Sequence, residues 1–113
     1  MSQLVEEAEK SVKEALMWLR KCEADPDGSS LRFKLWRVTE SLDYAAMLIS
    51  LHFHFTEFYP EVDLKQPTDQ SSALRSVEEA LNEALKHLKT DPRTGYKLLK
   101  NCLSTLRALR RMR

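Results

Sequence analysis

The sequence predicts an all-α fold, an antiparallel four-helix bundle, and three observations carry that expectation. Apolar residues recur at three- and four-residue steps in four separate stretches, the spacing of helix faces turned to a core. The chain holds only two Gly in 113 residues, and its four Pro fall between those stretches rather than within them. Most of the connections are short, which favours antiparallel neighbours.

The first helix is expected over residues 2–24. Ser2 is its candidate cap, and Glu6, Glu7 and Glu9 stand in the early turns, where the helix dipole favours acids. Val5, Ala8, Val12, Ala15, Leu19 and Cys22 form its apolar stripe, widened by Leu4, Leu16 and Trp18. Asp25-Pro26-Asp27-Gly28 is a turn signal, and Ser29 or Ser30 can cap the next helix.

The second helix is expected over 30–59, with Pro60 as its stop. Leu31, Leu35, Val38, Leu42, Ala45 and Ile49 make one core face. Phe33, Trp36, Met47 and Leu51 fall roughly opposite at about 100° per residue, and Phe55 and Phe58 extend the apolar character. A helix apolar on two sides is packed on two sides, so the second face predicts a homo-oligomer, a dimer through helix two.

Residues 61–70 are polar, contain Pro67 and lack periodicity, and read as the longest loop. A third helix is expected over 70–90, with Leu74, Val77, Leu81, Ala84 and Leu88 as its core face and caps available from Thr68 to Ser71. The fourth is expected over 92–112, with Pro92 near its first position and Tyr96, Leu99, Cys102, Leu103, Leu106 and Leu109 facing inward.

A chain of 113 residues predicts one domain, spanning 1–113. Hydrophobic residues make up 42% and charged residues 31%, which fits a soluble protein with solvated helix faces. The net charge of +1 singles out no partner, but residues 91–113 carry seven Lys/Arg against one acid, leaving −5 for the rest. Cys22 and Cys102 make no disulfide framework and read as small buried hydrophobes. The opening MSQLVEEAEK is acidic, unlike a signal peptide, and the longest uncharged run, Tyr44 to Thr56, is 13 residues, too short to span a bilayer. A cytoplasmic protein with no membrane partner is therefore expected.

Histidines give little. His52 and His54 lie about 200° apart on a helix, so they do not share a metal. His54 with Glu57, and Glu79, Glu83 and His87 at four-residue steps, are better explained as solvated helix surface. The chain has no Gly-rich phosphate loop. Acids are more informative. Glu6 and Glu9 are three apart in the first helix, and Glu40 and Asp43 are three apart in the second. Two such pairs on neighbouring helices make a candidate carboxylate box for Mg²⁺, a cation that prefers oxygen ligands and lets substrate phosphates complete its shell. Exposed ion pairs explain the same acids without a metal, through Lys10 and Lys13 in the first helix and Lys34 and Arg37 in the second.

The segments LVEEAEKSVKEAL (4–16) and ESLDYAAMLISLH (40–52) resemble the MazG-type all-α nucleotide pyrophosphohydrolases. That family carries a Glu-Glu-x-x-Glu helix, then a Glu-x-x-Asp helix running into a long apolar stretch. Glu40-Ser41-Leu42-Asp43 matches the second motif, and Glu6 and Glu7 match the paired acids of the first. The third acid of the first motif falls on Lys10, with Glu9 one residue out of register. The resemblance implies a Mg²⁺-dependent hydrolase, active or degenerate, with Glu6, Glu9, Glu40 and Asp43 as metal ligands, a nucleotide as ligand and an oligomeric helical bundle.

The alternative expectation is a non-enzymatic helical module. Lys97, Lys100, Arg107 and Arg110, with Arg111 and Arg113 in the same cluster, can meet phosphates, whether of a nucleotide or of RNA, and the same basic helix can engage a protein partner. Convergence of the four acids on one cavity separates the two readings.

Overall fold

The computed structural model describes residues 3–25, 28–55 and 69–111. These form four α-helices: α1 (Gln3–Ala24), α2 (Leu31–Phe53), α3 (Gln70–His87) and α4 (Pro92–Arg111). The residues of the four core stripes are buried, from Val5 in α1 to Leu109 in α4, and all four helices contribute to one hydrophobic cluster; of the residues expected to widen the first stripe, Leu16 is buried, Trp18 is partly buried and Leu4 is exposed. The three-four spacing thus acts as expected, by gathering each helix's large apolar groups on one side.

Each helix touches two others, and the packing is that of a bundle. α1 lies against α2 and α3, and α4 lies against α2 and α3. Among the described residues no Cα atom of α1 comes within 8 Å of one in α4, and none of α2 comes within 8 Å of one in α3. The order around the bundle is therefore α1–α2–α4–α3, and the chain leaves α2 to enter its diagonal opposite. Inter-helix pairs fix the registers. Ser11 Oγ donates to the Ser41 carbonyl at 2.6 Å, Arg37 meets Glu14 at 2.8 Å, and Trp18 packs edge-on to Phe33. Numbers rise along α1 as they fall along α2. The same holds between α2 and α4, where Asp43 meets Arg107 and Phe55 meets Tyr96, and between α1 and α3, where Glu9 meets Lys89 and Arg20 meets Glu78.

Helix two ends earlier than the sequence predicts. His54 adopts the left-handed conformation (φ 58°, ψ 47°), and its N–H reaches back to the Ser50 carbonyl, closing the helix at Phe53. Phe55 is buried against Tyr96, with the Arg93 guanidinium 5.2 Å from its ring, so it belongs to the core rather than to the outer face. Phe58, Pro60 and the loop to Thr68 lie outside the described residues, as does Ser2. Ser30 precedes α2 without a side-chain capping bond. Asp69 caps α3 by accepting from the Ser72 N–H at 2.8 Å, and α3 stops at His87 rather than 90. Asp91 starts α4 in the same way, with Thr94 N–H and Oγ1 both donating to its carboxylate. Gly95 lets α4 begin close against the end of α3, since a Cβ there would come within 2.9 Å of Leu88 Cδ2, and that side chain would have to move.

Candidate functional site: the α2 face and the basic stripe of α4

The acids expected to form one box stand on different sides of the bundle. Glu9 is half-buried on the α3 side of α1, where its Oε1 lies 3.4 Å from Lys89 Nζ. Glu6 and Glu40 are exposed. Asp43 is on the α4 side of α2, with Arg107 Nη2 3.0 Å from Oδ1 and 3.4 Å from Oδ2. The α1–α3 seam and the α2–α4 seam are opposite edges of the bundle, so Glu9 and Asp43 have the core between them. Among the described residues, no three His, Cys, Asp or Glu side chains form a group able to hold a metal. The donors therefore do not fit a Mg²⁺ ion as a set. Each of the two partly covered acids has a cation of the chain itself beside it.

Asp43, expected among the metal ligands, and Arg107, expected among the phosphate-binding groups, thus neutralise each other. Of the remaining basic candidates, Lys97 and Arg110 are exposed and Lys100 is half-buried, its Nζ 6.0 Å from the Tyr96 ring centroid. Arg93, Lys97, Lys100, Arg107 and Arg111 follow four-three steps, with Ser104 filling the gap. At about 100° per residue they fall within roughly 80° of arc, a straight stripe about 27 Å long. Arg110 lies outside it. Arg111, expected in the basic C-terminal cluster, belongs to the stripe, and Arg93 belongs to it without having been expected there. The spacing of Arg93 from Lys97 was the available signal.

Beside this stripe runs the outer face of α2. Phe33, Trp36, Tyr44, Met47 and Leu51 are all 40–55% exposed, far more than large apolar groups in a covered face. Phe33 also packs on Trp36, with ring centroids 6.0 Å apart. Ion pairs border this face on both sides, Asp43–Arg107 toward α4 and Arg37–Glu14 toward α1. Tyr44 adds to the face a polar-tipped ring that apolar spacing alone does not pick out.

Burial tunes a few groups elsewhere. Desolvation pushes the Cys102 thiol up to about 12 and the Cys22 thiol up to about 11, with Lys34 partly opposing the latter. Both cysteines are free and buried in the core on helices α1 and α4, which do not come within 8 Å Cα to Cα, too far apart for a disulfide between them. Burial, then a hydrogen bond with Glu78, then that group's like charge raise the Glu23 carboxyl, against the opposing Arg75 and Arg20. No helix among the described residues is long and apolar enough to cross a membrane.

Comparison with protein-family models, with curated proteins and with solved structures finds no match for this chain.

Proposed function

We propose that this chain is a non-enzymatic helical binding module, an antiparallel bundle that self-associates through α2 and engages RNA phosphates through α4. The observation that carries the RNA reading is the basic stripe of α4. A line of cations along one helix face suits a linear polyanion, whose charges follow one another along its backbone. The exposed apolar face of α2 supports self-association, because a lone bundle leaves it in water. The opposed numbering of the inter-helix pairs supports the antiparallel arrangement.

The Mg²⁺-dependent pyrophosphohydrolase reading has less support. It needs Glu6, Glu9, Glu40 and Asp43 around one cation, whereas Glu9 and Asp43 pair with Lys89 and Arg107 on opposite edges. Titration of a fluorescently labelled single-stranded RNA at several salt concentrations tests the preferred reading. Binding that weakens steeply with salt supports it, and binding of an acidic protein alone would move the proposal to a protein partner.

A further inference from the structure

The outer stripe of α2 is spaced almost symmetrically about its midpoint. Phe33, Trp36, Glu40, Tyr44, Met47 and Leu51 follow steps of three, four, four, three and four, so they occupy roughly 80° of arc. About a centre at residue 42, Phe33 mirrors Leu51 and Glu40 mirrors Tyr44, and Trp36 comes within one residue, about 1.5 Å along the axis, of facing Met47. We infer that a second copy of this chain covers the stripe, its α2 antiparallel to the first around a two-fold axis at residue 42. This deepens the self-association proposed above and rests on it.

The charge in the stripe selects this register. Glu40 is its only acidic or basic residue and is exposed in the single chain. A parallel two-fold would set Glu40 against Glu40 of the second copy, two like charges in a drying interface. The antiparallel one sets it against Tyr44, whose hydroxyl donates to the carboxylate in a charge-assisted bond. Trp36 then lies beside Met47, a favourable sulfur–aromatic contact, and Phe33 faces Leu51. The area suffices for a modest dimer. Roughly 100 Å² from each of five half-exposed side chains gives about 500 Å² per copy, and twice that is near the lower limit for a specific interface. The flanking pairs, Asp43–Arg107 and Arg37–Glu14, supply a polar rim. Such an axis sets each flank beside the same flank of the second copy, so both α4 stripes lie on one side of the dimer.

The test uses the full chain. Phe33→Cys and Leu51→Cys variants are treated with a short bis-maleimide, separately and mixed, and wild type is sedimented up to about 100 µM. The native thiols are buried and stay unlabelled in the folded protein. The expected result is a wild-type dimer, with cross-linked species in the mixture and little in either variant alone. In the antiparallel register two copies of residue 33 stand about 27 Å apart, beyond the reagent's span. Tyr44→Phe should weaken dimerisation ten- to a hundred-fold with an unchanged circular dichroism spectrum. A monomer throughout would overturn both the register and self-association. A dimer in which each variant cross-links to itself would overturn the register alone.

Discussion

Arg107 and Asp43 are 64 residues apart in sequence and meet at 3.0 Å across the α2–α4 seam. Both side chains remain nearly half exposed, at 49% and 43%, so the pair orients the seam more than it stabilises it. Exposed pairs of this kind are worth at most about 1 kcal/mol. Asp43→Asn should therefore lower the melting temperature by no more than a few degrees. With Asp43 paired to Arg107 rather than to a cation, added Mg²⁺ should shift neither wild type nor variant. A Mg²⁺-dependent rise in wild type that Asp43→Asn abolishes would restore the metal reading.

The two faces of α2 should respond differently to truncation. Leu42 is fully buried, and Leu42→Ala should cost about 2–5 kcal/mol in urea denaturation, the lost transfer energy plus a cavity. Leu51 is exposed in the single chain, and Leu51→Ala should cost under about 0.5 kcal/mol at concentrations where the protein is monomeric. Equal losses at the two positions would contradict the assignment of inner and outer faces.

Glu23 predicts a pH dependence of its own. Its folded pKa is raised above the ordinary 4.5. The stability it contributes is thus fully present below 4.5 and is lost as pH rises through the folded value. Glu23→Gln keeps a neutral hydrogen-bonding group beside Glu78 at all pH values. The variant should melt higher than wild type at about pH 7, and the gap should close toward about pH 4. A gap that widens on acidification would reverse the sign.

The helix caps titrate oppositely. Hydrogen bonds from Ser72 lower the Asp69 carboxyl, and bonds from Thr94 lower that of Asp91. Their contributions are present above the ordinary 3.8 and are lost as pH falls through the folded values. Asp69→Ala and Asp91→Ala should each lower the melting temperature at about pH 7, with the difference fading near about pH 2. Thermal melts across that range check this.

Periodicity made the bundle legible, because burial follows helical spacing and needs no knowledge of neighbours. The stripes from Val5 to Cys22 and from Leu31 to Ile49 are buried as their spacing requires. The outer face of α2 was legible for the same reason. What the spacing could not show is which helix stands beside which. The partners of Glu9 and Asp43 come from Lys89 and Arg107, and that choice depends on the order α1–α2–α4–α3. The end of α2 was missed because His54, not a proline or glycine, takes the left-handed turn. That turn also places Phe55 against Tyr96 in the core, where a continued helix would not have taken it.

The cations of α4 are proposed to meet a polyanion, and fluorescence anisotropy with a labelled single-stranded RNA of about 20 nucleotides measures that contact. With about four phosphates neutralised, log K should fall against log salt with a slope near −3. The double variant Lys97→Glu, Lys100→Glu should bind at least tenfold more weakly with a shallower slope, and its helical spectrum should be unchanged. Equal affinity in wild type and the double variant, or no binding by wild type at about 50 mM salt, would contradict the account.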